Sequence, residues 1–132
     1  MPYKKQRQTV YDKYKGHCAY CGKQIFIRDM QIDHIIPQLN FEWVFKNRIS
    51  KMIPEFLNHL TEIDLHHIDN LNPACRVCNK WKSTYHLEIF RSELQDQTKR
   101  LQERSSNYRM AKLYGLISEN DTKIKFYFES LN

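Results

Sequence analysis

The chain has 132 residues, 41% of them apolar and 13% aromatic, and its 21 Lys and Arg against 15 Asp and Glu leave a formal net charge of +6. That length suits one domain with a modest core, and no run approaches the roughly 18 apolar residues of a membrane span. The opening MPYKKQRQTV lacks the apolar centre of a signal peptide, so a cytoplasmic protein with no membrane partner is expected, one whose positive charge suits nucleic acid.

Residues 5–15, KQRQTVYDKYK, place Val10 and Tyr14 on one helical face, and Gly16 ends that helix. Residues 17–38 read as a cysteine knuckle followed by a short hairpin, QIFIRDMQIDHII. Residues 41–60 are helical and aromatic, interrupted by Pro54. The stripe of Phe41, Trp43, Val44 and Phe45 is expected on the core, with nucleic acid or a partner protein as the competing contacts. Residues 66–82 hold the second cysteine pair. From Ser83 onward Leu87, Phe90, Leu94 and Leu101 recur at helical spacings, and a further helix near 105–114 stops at Gly115. The tail KIKFYFE alternates Ile124, Phe126 and Phe128 with Lys123, Lys125 and Tyr127, the period of a strand.

The cysteines carry the strongest local signal. In a reducing compartment they point to metal or thiol chemistry rather than disulfides. Cys18 and Cys21 form one CxxC and Cys75 and Cys78 another, four soft thiolates that suit tetrahedral Zn²⁺. With four protein ligands no position is left for water, so the zinc is expected to be structural. The 53 residues between Cys21 and Cys75 exceed a compact ribbon, so another element is inserted there. A redox CxxC site and unpaired buried thiols are the competing readings.

Asp33 and His34 interrupt the apolar run MQIDHIIPQ between the knuckles. Phosphodiester hydrolysis needs a water made nucleophilic and a cation for the charge that builds on the phosphoryl group. A neutral His34 can take a proton from water, and the Asp33 carboxylate can hold a hard divalent cation. Neighbours on an ideal strand point to opposite faces, so the two converge only where the strand ends or bulges, and Pro37 fits such an ending.

IDHIIP, followed by DNLNPACRVCNKWKS, resembles the HNH (ββα-metal) endonuclease family over roughly residues 17–83. The family's zinc-bearing members read CxxC, a strand ending in Asp-His, Asn-Leu, then CxxC followed by Asn or His and a Lys, and each mark stands here in order. The resemblance implies an α+β fold: a ββα-metal (HNH) core stabilised by a four-cysteine zinc site, with a helical insertion near 41–65 and a mainly helical extension over 84–132, in one domain spanning 1–132. It implies an endonuclease that hydrolyses DNA, with RNA left open, using Mg²⁺ or Mn²⁺ held by Asp33 and Asn79. His34 is then the general base and Asn70 braces the loop that orients it. Lys82 would face phosphate, with Lys80, Arg76 and Arg28 as weaker backbone contacts.

Simpler roles compete: Asn79 as a helix cap and Asn70 as a turn residue. His66 and His67 are candidate extra metal ligands whose offset from the motif favours structural or surface roles, and His17 supports the first knuckle or is exposed. The chain also departs from the family by lacking a Gly-rich loop after Asp-His, which leaves Asp33 and Asn70 37 positions apart. Two further readings stay open. One is a nuclease subunit of a multi-protein phage-defence complex, for example with an ATPase; the other is a zinc-ribbon nucleic-acid-binding module without catalysis.

Overall fold

Antiparallel pairing of two short strands organises the molecule: β1 (Gln31–His34) lies against β2 (Leu71–Ala74), with Asp33 opposite Asn72 and His34 opposite Leu71. The computed structural model describes residues 5–131; the first four residues of the MPYKKQRQTV stretch and Asn132 lie outside the described residues. The expected hairpin within residues 24–36 is not formed. The segment before β1 makes only an isolated bridge, His17 with Gln24, and a 3-10 turn over Ile27–Asp29. The partner of β1 comes instead from beyond the insertion, because Leu71–Ala74 is buried along its whole length and β1 supplies its backbone partners.

Helix α1 (Arg7–Asp12) precedes this pair and fastens both strands. Arg7 donates to the carbonyls of Ile27 and Met30 at 2.6 and 2.7 Å, holding the entry to β1. Lys13 Nζ donates to the carbonyls of Ile68 and Leu71 at 3.0 and 2.8 Å, at the start of β2. Burial lowers the Lys13 pKa to about 8, against the pull of Asp69. Val10, Met30, Leu71, Phe90 and Phe126 share the main core.

The insertion forms a second core of its own. Helix α2 (Phe41–Lys46) turns Phe41, Val44 and Phe45 onto Ile35, Ile36, Leu57 and Leu60, while Trp43 faces out. The expected helix over 41–60 therefore stops early. Asn47 takes the Trp43 carbonyl at 2.9 Å, and Arg48 sits at φ +46°, from where its guanidinium reaches the carbonyls of Asn58 and Leu60. Short 3-10 turns at Ser50–Met52 and Glu55–Leu57 complete the unit.

Helix α3 (Arg76–Lys82) follows β2 directly, completing a strand–strand–helix order. Beyond it run α4 (Leu87–Gln95), α5 (Gln97–Arg104) and α6 (Ser106–Leu113). Ser105 caps α6 by accepting from the Tyr108 amide at 3.1 Å, and Gly115 follows the helix at φ +75°. Mixed helix and a two-stranded antiparallel sheet is the resulting architecture. No helix among the described residues is long and apolar enough to cross a membrane.

The tail KIKFYFE buries Phe126 and Phe128 as its alternation predicts, yet it forms no strand. Its backbone is satisfied by side chains: Arg91 donates to the Ile124 carbonyl, and Gln95 bonds both the Thr122 carbonyl and the Ile124 amide. The Tyr127 and Phe128 amides then donate to the carbonyls of Tyr20 and Ala19 in the first knuckle. A 3-10 turn over Tyr127–Leu131 follows.

Candidate metal centre and adjoining cleft

The four thiols converge on one point, their Sγ atoms all lying within 4.8 Å of one another. Cys21 and Cys75 Sγ are 3.9 Å apart, and a tetrahedral zinc with sulfur at about 2.3 Å sets sulfur pairs about 3.8 Å apart. The donor set and its spacing therefore fit Zn²⁺. Each knuckle is built by local backbone. The Cys18 amide donates to Lys23 and the Gly22 amide to Cys18, and Gly22 adopts φ +80° in a place where a Cβ would strike the Tyr127 ring. Cys75 caps α3, its Sγ accepting from the Cys78 amide at 3.3 Å. His17 supports the first knuckle by bonding the Gly22 carbonyl at 2.8 Å and stacking on Tyr127.

Electrostatics of the cluster call for a cation. The hydrogen bond from Cys78, joined by backbone amides, brings the Cys18 thiol down to about 4 against the cost of burial. Cys78 is pushed up by that same bond and by burial, and Cys21 chiefly by burial. Four crowded thiols cannot all ionise alone, and a divalent ion supplies the compensating charge.

Beside this centre, the end of β1 and the face of α3 enclose a cleft of about 180 Å³, lined among others by Asp33, His34, Pro37, Asn79 and Ser83. His34 and Asn79 are thus brought together from positions 45 apart in the chain (79 minus 34), with Asp33 beside them. Asn79 is half-buried, its backbone amide bonded to the Cys75 carbonyl at 2.9 Å within the helix pinned by the second knuckle.

Asp33 is nearly out of solvent, at 4% exposure. The Tyr20 hydroxyl donates to one of its oxygens, and Lys82 Nζ lies 3.2 Å from each. Burial pushes the Asp33 pKa up, opposed by Lys82 and by the Tyr20 bond; burial pushes Lys82 down, opposed by Asp33. The resemblance implies that Lys82 faces phosphate. It is instead fully buried, donating also to the His34 carbonyl at 2.9 Å, because the last turn of α3 packs onto the end of β1 and encloses the whole side chain.

Asn70 is buried and holds the loop after His34. Its Oδ1 accepts from the Ile36 amide at 2.9 Å, and its Nδ2 donates to the carbonyls of Ile36 and Leu65 at 3.2 and 3.0 Å. His34 Nε2 lies 3.0 Å from His66 Nδ1. Its pKa is lowered to about 4, first by burial and then by His66 and Lys82. His67 serves the backbone, its Nδ1 accepting from the Asp69 amide at 3.0 Å. Arg28 and Arg76 share a separate cleft of about 390 Å³, and Lys80 is exposed on α3.

Sequence reasoning missed three partners: Tyr20 and Lys82 at Asp33, and His66 at His34. Tyr20 stands inside the first CxxC, and that position was a usable signal. Nothing in the pair His66-His67 indicates which ring turns inward.

No protein-family model and no curated protein sequence matches the chain. Among solved structures it is similar to the Type II-C Cas9 enzyme from Actinomyces naeslundii, at 18% sequence identity and a TM-score of 0.46. The similarity covers 86% of this chain and 10% of that one, so the chain spans about a tenth of that protein's length.

Proposed function

We propose that the chain is a metal-dependent endonuclease of the HNH kind, hydrolysing phosphodiester bonds in DNA. The observation that carries this reading is the shared cleft: Asp33 and His34 at the end of β1 and Asn79 on α3 line one small concavity. A carboxylate and a carboxamide oxygen are hard donors suited to Mg²⁺ or Mn²⁺, and unsuited to displacing zinc from its thiolates. Tyr20 and Lys82 already engage Asp33, but a carboxylate has about four acceptor positions, so Asp33 and Asn79 remain a fitting pair of ligands. The cation, when bound, supplies positive charge to the phosphoryl oxygens and the leaving oxygen.

The chain's own residues do the rest. His34 accepts a proton from water, and burial together with His66 and Lys82 keeps its imidazole neutral down to about pH 4. Lys82 and Tyr20 hold the Asp33 carboxylate in one orientation. Asn70 fastens the chain immediately after His34. The zinc knuckles anchor both walls, since Cys75 and Cys78 begin α3 while Tyr20, between Cys18 and Cys21, touches Asp33. Lys80, Arg76 and Arg28 supply exposed positive charge for the backbone of the nucleic acid.

Incubation with supercoiled plasmid and Mg²⁺ tests the reading, with a single-stranded RNA of matched length run in parallel. Nicked or linear DNA is expected from the wild-type protein and none from His34→Ala at equal zinc content. Equal cleavage by both proteins would remove the proposal.

A further inference from the structure

We propose that His66 is a positioning residue for this reaction, holding His34 in the tautomer whose Nδ1 lone pair takes the proton from water. The inference rests on the nuclease reading above and deepens it.

A neutral imidazole has one N–H and one nitrogen with a lone pair. Across the 3.0 Å contact between His34 Nε2 and His66 Nδ1, one nitrogen donates and the other accepts. If His66 donated, the one lone pair of His34 would be consumed and Nδ1 would carry its proton, leaving no base. If His34 donates through Nε2–H, the lone pair stands on Nδ1. Only the second arrangement is compatible with base catalysis, and in it His66 accepts at Nδ1 and carries its own proton at Nε2.

The contact is built rather than incidental. One Asn70 side chain bonds the Ile36 backbone, two residues beyond His34, and the Leu65 carbonyl, immediately before His66. The Asn70 amide also donates to the His67 carbonyl at 2.8 Å. The segment before His66 is closed by Asp64, whose carboxylate accepts from both the amide and the hydroxyl of Thr61. The two rings, 5.2 Å apart at their centroids, therefore hang from backbone clamped to a single buried residue. His66 directly follows the 41–65 insertion, whose last residue, Leu65, is tied by its carbonyl to Asn70.

In the step itself, a water O–H bond breaks, its proton bonds to His34 Nδ1, and its oxygen bonds to phosphorus. The phosphorus bond to the leaving oxygen breaks with its electron pair, and solvent protonates that oxygen. The imidazolium formed on His34 then donates through Nε2–H to His66 as a charge-assisted hydrogen bond, which is stronger than the neutral one.

Three variants separate this role from simple packing. In His66→Asn the side-chain oxygen stands near the place of Nδ1 and still accepts; in His66→Gln it reaches the place of Nε2; His66→Ala has no acceptor. His66→Ala is expected to lower kcat by roughly tenfold to a hundredfold, the usual effect of losing an orienting partner, with KM for DNA unchanged. His66→Asn should recover most of that loss and His66→Gln little of it. Wild-type kcat in His66→Ala, or equal recovery by Asn and Gln, would overturn the proposal. A readout independent of cleavage is the long-range ¹H–¹⁵N spectrum of the histidines at neutral pH. It should show His34 as the Nε2–H tautomer in wild type and in His66→Asn, and as a mixture in His66→Ala. An Nδ1–H tautomer in wild type would defeat the inference. Should the wild-type protein cleave no phosphodiester, the nuclease reading fails, and the spectrum alone decides whether His66 sets the His34 tautomer.

Discussion

Lys82 carries its ammonium 3.2 Å from Asp33 Oδ1 and 2.9 Å from the His34 carbonyl oxygen, in a place with no solvent exposure. One side chain thereby fastens the last turn of α3 to the end of β1 and neutralises the buried carboxylate at the cleft.

Removing that cation should be severe. Lys82→Met leaves Asp33 buried without a counter-charge, and breaking a buried pair from one side costs about 3–5 kcal/mol. Adding Asp33→Asn removes the stranded charge and should recover part of the loss. Urea denaturation of the two variants checks this, and a Lys82→Met protein as stable as wild type would show that the pair does not hold the fold.

The thiol cluster predicts one zinc per chain. Structural zinc contributes its binding free energy to folding, so Cys75→Ser, which removes both a ligand and the cap of α3, should give poorly folded protein. Elemental analysis of the purified wild type, with circular dichroism of the variant, is the measurement. Brief EDTA treatment followed by added Mg²⁺ distinguishes the two metals: cleavage should stop and return while zinc and folding persist.

Cleavage should depend on pH in one direction. His34 acts only when neutral, and its pKa is lowered to about 4, so activity rises as pH increases through about 4 and is flat from there to neutrality on this group's account. An ordinary histidine would place that limb near 6.5. The pH profile of kcat/KM with saturating metal reports the position, and a limb at about 6.5 would show that the surroundings of His34 do not lower its pKa.

The two asparagines should separate. Asn79→Ala removes a half-exposed side chain at the cleft and should raise the Mg²⁺ concentration required, with little change in stability. Asn70→Ala abandons buried backbone groups on Ile36 and Leu65, each costing about 1–3 kcal/mol when left unsatisfied. It should lower the melting temperature and the rate at saturating metal. Metal titration of cleavage together with thermal unfolding decides between these effects.

The tail gives the last prediction. Phe126 is buried against Tyr20 and Phe90, with Arg91 over its ring at 4.6 Å, so Phe126→Ala should cost about 3–5 kcal/mol. Because Tyr20 also bonds Asp33, the same variant should weaken metal-dependent cleavage in material that remains folded at low temperature. Unchanged cleavage in that material would mean that the tail supports the knuckle without reaching the cleft.

Local chemistry in the sequence decided what short spacing can decide. Two CxxC pairs announce a four-thiol cluster, Gly115 ends α6, and the alternation of Ile124, Phe126 and Phe128 tells which tail residues turn inward. Pattern could not decide pairing, since an apolar period says that a face is covered and nothing of what covers it. The backbone of the tail bonds to Arg91, Gln95 and the first knuckle rather than to a strand, and β1 pairs across an insertion rather than with its neighbour. Charge carried the same ambiguity. Lys82 reads as a surface cation one turn beyond Asn79, yet the packing of α3 on β1 makes it the buried partner of Asp33. His66 reads as one of two adjacent histidines, and only the loop tied to Asn70 turns it onto His34. Donor types and spacings are written locally in the chain; which donor meets which acceptor is set by long-range packing, where burial makes every unpaired polar group costly and so selects its partner.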